Sequence, residues 1–152
     1  MKKVNLFLVI SMIFVVFLLT TGCGGNPAAP PIEEDFINIV SVTPNSGLID
    51  GVDTNFTVVV EYNLYSSNQG ILQIHFNDES INYYGVVENA IFYVYKGNGT
   101  HEFNVTVKPK NWGSQGDFKV LVVLDEIPWI NDNFLDGDIE ILTFGEGITP
   151  PD

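Results

Sequence analysis

The feature that most constrains this chain is a two-residue alternation of apolar and polar side chains within residues 36–144. Apolar groups occupy every second position in Phe56–Leu64, Phe103–Val107 and Phe118–Leu124. Successive side chains of a β-strand point to opposite faces of a sheet, so this alternation is typical of half-buried strands. Helical spacing is almost absent from the same stretch. The sequence therefore predicts an all-β domain.

Turn-forming residues divide this domain into seven or eight short strands. Clusters of Gly, Asn, Asp and Pro stand at Pro44–Gly47, Asn68–Gly70, Asn77–Asp78, Gly97–Gly99, Gly113–Gly116 and Asp136–Asp138. These residue types supply the backbone conformations that tight turns need. Seven or eight strands in about 110 residues predict a two-sheet antiparallel sandwich, with a barrel as the alternative.

Three segments resemble the first, fifth and sixth strands of bacterial immunoglobulin-like and fibronectin-type-III-like extracellular modules. They are Ser41–Gly47, Gly97–Val107 and Gly116–Glu126. The Cys, Trp and Cys set of true immunoglobulin domains is missing. The resemblance implies an immunoglobulin-like β-sandwich, a fold used for adhesion, spacing or ligand binding.

The amino terminus has the organisation of a secretory signal. Lys2 and Lys3 precede the apolar segment Leu6–Leu19, which is shorter than the roughly 20 residues that span a bilayer. Thr21, Gly22 and Cys23 then resemble the lipobox of bacterial lipoproteins, although Thr20 replaces its usual aliphatic residue. There are two alternatives. One is an ordinary secreted protein with a free thiol, and the other is a protein held by a membrane-spanning anchor.

The lipobox resemblance implies that signal peptide 1–22 is removed and that Cys23 receives a diacylglyceryl thioether. A further acyl chain, such as palmitate, on the new amino terminus would complete the anchor, since two or three chains hold a protein stably at a bilayer. The protein would then belong to the bacterial cell envelope and face the periplasm or the exterior. The bilayer is its expected partner through acylated Cys23.

Composition shifts divide the mature chain into three parts. Residues 23–35 comprise the lipidated cysteine and a Gly-, Pro- and Ala-rich flexible tether, 36–144 form the sandwich, and 145–152 form a flexible tail. With Cys23 acylated, no cysteine remains for a disulfide. The core alone must therefore hold the fold.

The charge balance excludes one class of partner. The chain has six lysines, no arginine and 19 acidic residues, and loss of the leader takes the formal charge from −13 to −15. Phosphate binding needs clustered cations, so no nucleic-acid partner is expected. Anionic headgroups would repel the domain. An envelope protein or polysaccharide is the expected further partner.

Motifs for catalysis are missing from the sequence. The two histidines, His75 and His101, lie in strand-like sequence without metal-pair or nucleophile spacing. Carboxylate pairs at any spacing arise by chance among 19 acids. We therefore expect a non-catalytic binding or structural module. A carbohydrate-binding or calcium-dependent adhesion module, and an envelope enzyme or enzyme inhibitor, are the alternatives.

One acidic cluster suits calcium, a hard cation that takes six to eight oxygen ligands. Its members are Asp125, Asp132, Asp136, Asp138 and Glu140, placed in and around the connection between the last two predicted strands. The spacing differs from that of an EF-hand. Tight turns require the same residue types, so calcium binding and turn formation both remain open.

Four aromatic residues form a second candidate site. Trp112 and Trp129 lie in loop-like sequence, and Tyr83 and Tyr84 are adjacent on a predicted strand. Exposed rings stack on sugars or anchor protein partners. The structural alternative is a loop tryptophan that covers the end of the sandwich.

Overall fold

The computed structural model describes residues 33–127 and 133–145, without the side chains of Tyr83, Tyr84, Val86 and Glu88. All of these residues belong to the unit Ile32–Asp152. The predicted signal peptide, Cys23 and most of the predicted tether lie outside the described residues. Within the described part of the chain, no helix has the length and apolar character needed to cross a membrane.

The prediction of an all-β domain is confirmed. Five strands form one curled antiparallel sheet: β1 (Phe36–Thr43), β2 (Thr54–Ser80), β3 (Tyr83–Val107), β4 (Phe118–Glu126) and β5 (Phe134–Leu142). The strand order is β1-β2-β4-β5, and β3 pairs with β2. The only helical turn in the described chain is the three-residue 3-10 segment Gly113–Gln115.

Several predicted turns lie inside strands, which is why the sheet has fewer and longer strands than the sequence predicts. Asn68–Gly70 belongs to β2, Gly97–Gly99 to β3, and Asp136–Asp138 to β5. Asn77–Asp78 also belongs to β2, and the chain reverses after Ser80. The β2–β3 register shifts between Leu64 and Gln69. The Gly- and Asn-rich segments there interrupt regular pairing without reversing the chain.

The register shift between Leu64 and Gln69 divides the curled sheet into two halves. The first half contains β1, β2 residues 54–64 and β3 residues 97–107, and the second contains β3 residues 83–95, β2 residues 69–80, β4 and β5. Each of the two long strands therefore contributes a segment to both halves.

The hydrophobic core joins the two halves through aromatic contacts. Phe56 of the first half packs against Phe76 of the second, with ring centroids 5.1 Å apart, and Phe76 stacks on Phe118 at 5.9 Å. Val60 and Val105, which the alternation assigns to the interior, are both buried. This burial confirms the side-chain alternation in these two segments.

Two carboxylates join β1 to β5 where the sheet edges meet. Asp136 Oδ2 accepts the backbone N–H of Ile37 at 2.9 Å, and Asp138 Oδ2 accepts that of Ile39 at 2.8 Å. Strand β1 pairs with β2 on its other side. The carboxylates therefore satisfy edge donors that a strand would otherwise leave unpaired.

Short flanking segments that the sequence assigns to the tether and the tail are attached to the domain. Asp35 Oδ1 accepts the backbone N–H groups of Tyr65 at 2.7 Å and Ser66 at 3.1 Å. Burial alone would raise the pKa of Asp35. The hydrogen bonds from Ser66 and Tyr65 and the positive charge of Lys96 outweigh this effect and hold the pKa below its ordinary value. At the other end, Gly145 N–H donates to Leu48 O. Asp35 and Gly145, one residue outside each predicted boundary, thus form hydrogen bonds with the domain.

The carboxylate contacts between β1 and β5 predict a measurable contribution to stability. Asp136→Ala should lower the free energy of unfolding by about 1–3 kcal/mol, because it leaves the buried Ile37 N–H unpaired. Asp138→Ala should act in the same direction. Urea unfolding measures both, with Glu140→Ala two positions further along β5 as the matched control. Equal stability of all three variants and the parent would contradict this role.

Candidate functional site

The outer edge of β3 is the most distinctive surface of the described chain. Among the described residues, β3 pairs with β2 alone, from Tyr83 to Val107. In an antiparallel pair, every second residue turns its N–H and C=O away from the partner strand. Strand β3 thus presents a row of backbone donors and acceptors that another extended chain can use.

Large apolar side chains are concentrated on this edge. Tyr95, Tyr93 and Ile91 are 71%, 66% and 45% exposed and alternate along β3, so they share the outer face of the sheet. Phe92, on the opposite face, is 41% exposed, whereas Val94 is buried. We call Ile91–Tyr95 the tyrosine edge. Contiguous exposed apolar groups of this size are typical of interaction sites.

The tyrosine edge lies in a stretch without negative charge. No Asp or Glu occurs between Asn89 and His101, although the chain has 19 acidic residues. The single lysine of the stretch, Lys96, places its ammonium 4.8 Å from the centroid of the Tyr65 ring. A partner that pairs along this stretch therefore meets no carboxylate from residues 89–101.

A buried polar pair lies behind the tyrosine edge on the neighbouring strands. Ile71 is the cross-strand partner of both Tyr93 and Asp125. Gln73 Nε2 donates to Asp125 Oδ2 at 2.5 Å, and both side chains are buried. Burial raises the pKa of Asp125, although the hydrogen bond from Gln73 and the charge of His75 act to lower it. The pair ties β2 to β4, on the side of β2 opposite the exposed strand.

Both histidines have structural contacts. His101 stacks on Phe92 with centroids 3.7 Å apart and meets Phe103 edge-on at 4.5 Å. His75 Nδ1 lies 3.3 Å from Gly85 O. Burial lowers the pKa of both imidazoles. The negative charge of Glu102 partly opposes this effect at His101, and the hydrogen bond with Gly85 O and the charge of Asp125 partly oppose it at His75. The neutral ring is thus favoured at both positions.

The structure gives the predicted calcium ligands separate protein partners. Asp125 binds Gln73, whereas Asp136 and Asp138 bind the backbone of β1. Glu140 is paired with Val120 in the β4–β5 register, and Asp132 lies outside the described residues. Among the described side chains, no group of three His, Cys, Asp or Glu residues is arranged to hold a metal ion. Calcium binding stays a prediction.

Of the four aromatic candidates, Trp112 is the one whose side chain is described. It is half-buried, and its indole N–H donates to Asn77 O at 3.0 Å. The side chain of Asn77 is fully buried, accepts Lys119 N–H and donates to Asp117 O. These contacts favour the structural alternative for Trp112. Trp129 and the side chains of Tyr83 and Tyr84 lie outside the described part.

The sequence predicts a strand at Ile91–Tyr95 but does not single it out as a site. Its five consecutive apolar residues, IFYVY, depart from the two-residue alternation of apolar and polar side chains. This departure is the signal in the sequence that marks the segment. A strand that is apolar on both faces is normally buried on both. Whether such a strand is central or at an edge depends on pairing with distant residues.

A shallow groove of about 410 Å³ lies on the first half of the sheet. It is lined by Phe36, Glu61, Tyr62, Asn98, Gly99 and Thr100. A Cβ at position 99 would lie 2.8 Å from the Tyr62 hydroxyl, so glycine allows the tyrosine to lie close to the backbone. The lining combines aromatic groups with a carboxylate, an amide and a hydroxyl.

No protein-family model matches this chain, and comparison with curated proteins gives no significant match. The function is therefore inferred from the sequence and from the geometry of the described residues.

The raised pKa of Asp125 predicts a pH-dependent effect of one substitution. The folded protein binds the Asp125 proton more tightly than the unfolded chain, so ionisation of Asp125 reduces stability at neutral pH. Asp125→Asn keeps an oxygen acceptor for Gln73 and cannot ionise. It should raise the urea midpoint at pH 7, and the gain should shrink as the pH falls toward about 4.

The matched control for Asp125→Asn is Asp117→Asn at an exposed position. Urea unfolding at several pH values measures both variants. A loss of stability in Asp125→Asn at pH 7 would show that the ionised carboxylate is required by the fold.

Proposed function

We propose that this protein is a lipid-anchored component of a bacterial cell envelope whose immunoglobulin-like sandwich binds another polypeptide without catalysing a reaction. Three parts of this proposal have separate support: the module type, the anchor and the binding edge.

The order of strand segments supports an immunoglobulin-like module. When β2 and β3 are each divided at the register shift, the first, second and fifth segments form the first half of the sheet. The third, fourth, sixth and seventh form the second half. In immunoglobulin folds the first, second and fifth strands share one sheet, and the third, sixth and seventh share the other. The present arrangement differs from the constant-type order in that the fourth segment lies beside the third.

The leader supports the anchor. A basic start, an apolar segment and the single cysteine at position 23 occur together, and acylated Cys23 would attach the protein to the bilayer. The acidic domain would stay off anionic lipid. Display of the domain beyond the membrane surface is the expected arrangement.

The observation that carries the binding function is the exposed tyrosine edge on an edge strand. Extended peptides add to such edges by main-chain hydrogen bonds, and side chains on alternate positions give specificity. Tyr93 and Tyr95 offer large rings with little conformational entropy to lose, which favours their use in interfaces. The structural contacts of His75 and His101 support a role without catalysis.

The anchor predicts the outcome of Cys23→Ser in a bacterial host. This variant should accumulate as an unprocessed precursor and lose incorporation of radiolabelled acyl chains, because the thiol that receives the lipid is missing. Fractionation and acyl labelling beside the parent protein provide the measurement. A variant that is processed and acylated like the parent would contradict the lipoprotein proposal.

The binding edge predicts a position-specific cross-link in intact cells. A photoreactive phenylalanine analogue at position 93 should give a discrete protein adduct, whereas the same analogue at Thr106, on an exposed site of the first half, should not. Mass spectrometry identifies the adduct. An equal yield at both positions, or none at position 93, would contradict binding at the tyrosine edge.

Sugar binding is a second candidate, favoured by the groove around Glu61. Aromatic groups pack against the C–H faces of sugars, while carboxylate, amide and hydroxyl groups bind sugar hydroxyls. The acidity of the chain favours an uncharged sugar polymer. Affinity electrophoresis through gels containing neutral polysaccharides should show retardation that Phe36→Ala and Glu61→Ala reduce, with Thr57→Ala as control. Equal migration in gels with and without polymer would exclude this candidate.

A further inference from the structure

We propose that the polypeptide bound at the tyrosine edge is a second copy of this chain, paired antiparallel about a twofold axis at Tyr93. This inference rests on the proposed binding function and adds the identity of the partner. It would join two copies of the second half into one continuous sheet of eight strands.

The tyrosine edge is self-complementary in this register. With Tyr93 opposite Tyr93 of the second copy, Ile91 faces Tyr95 and Phe92 faces Val94. Residues directly opposite one another on antiparallel strands lie on the same face of the sheet and contact each other. Every cross-strand pair from position 91 to position 95 would then be apolar, and four of the six aromatic side chains in these pairs would be tyrosines.

The charge distribution along β3 is compatible with contact between two copies at this edge. Two mature chains of formal charge −15 repel each other. The stretch from Asn89 to His101 has no carboxylate, so pairing there avoids opposed acids. In the proposed register Lys96 lies opposite Ala90, so the two Lys96 residues are not opposite each other either.

The composition of the edge indicates that it is covered in the working protein. Natural edge strands are protected from pairing by charged residues, prolines or bulges. Residues 89–95 contain no charged residue and no proline. Pairing with β2 is regular from Ile91 to Tyr95, and the register shifts of β3 lie on either side of this stretch. A twofold contact uses the same edge on both copies, so it closes at the dimer and leaves no edge for further growth.

The shared anchor adds a reason for self-association. Copies held by acyl chains in one bilayer meet at a higher effective concentration than soluble copies would. Anchoring in one bilayer therefore raises the fraction of dimer that a given edge contact produces.

Cysteine cross-linking of the full-length lipoprotein in membranes tests this pairing. Tyr93→Cys places two thiols directly opposite each other, within the Cα separation of about 4.4–6.8 Å that a disulfide spans. Mild oxidation should yield a band of twice the monomer mass that reductant reverses. The parent protein controls for Cys23, and Thr106→Cys controls for random collision.

A register control separates ordered pairing from general contact. Tyr95→Cys alone should give little dimer, because position 95 faces position 91 of the other copy. Co-expression of differently tagged Ile91→Cys and Tyr95→Cys chains should give the mixed dimer. Comparable cross-linking of Tyr93→Cys and Thr106→Cys would overturn the proposal.

A second measurement does not depend on cysteine. The detergent-solubilised parent should sediment as a dimer, and Tyr93→Lys should sediment as a monomer with unchanged circular dichroism, since Tyr93 is exposed and its loss spares the core. A monomeric parent would overturn the dimer. If a photo-cross-link at position 93 then captures a different protein, the binding function of the edge stands and its partner is not a second copy of this chain.

Discussion

The pairing of β2 with β3 is the interaction on which the rest of this structure depends. Strand β2 also pairs with β1 through residues 57–63 and with β4 through residues 70–76. The register shift between Leu64 and Gln69 lets these two long strands contribute to both halves of the sheet. The aromatic contacts of Phe56, Phe76 and Phe118 then form between halves that share the same two strands.

This architecture leaves the edges of the sheet in different situations. Strands β1 and β5 approach each other closely enough for Asp136 and Asp138 to accept N–H groups of β1. Leu48 and Phe144 extend that contact with an isolated bridge beyond the ends of both strands. Among the described residues, β3 has no comparable cover on its outer side. The edge that remains open is also the one that presents Tyr93 and Tyr95.

The acidic residues of this chain have more than one structural role, although all of them carry the same chemical group, a carboxylate. Asp35, Asp136 and Asp138 bind backbone N–H groups, and Asp125 is buried against Gln73. Ionised carboxylates are strong acceptors for such groups. A cluster of acids in the sequence is therefore compatible with metal binding and with strand-edge contacts, and only the positions of the donors distinguish the two.

Alternation by itself determined the strand content and the buried face of segments such as Phe56–Leu64 and Phe103–Val107, because side-chain direction in a strand is a local property. The lipobox-like pattern at Cys23 is equally local. Tertiary structure decided whether Gly97–Gly99 and Asp136–Asp138 would reverse the chain or continue a strand, since Gly, Asn and Asp suit both and pairing with distant residues selects one. It also decided that Ile91–Tyr95 lies at an edge. Strand neighbours are set by contacts between residues far apart in sequence, which no short pattern contains.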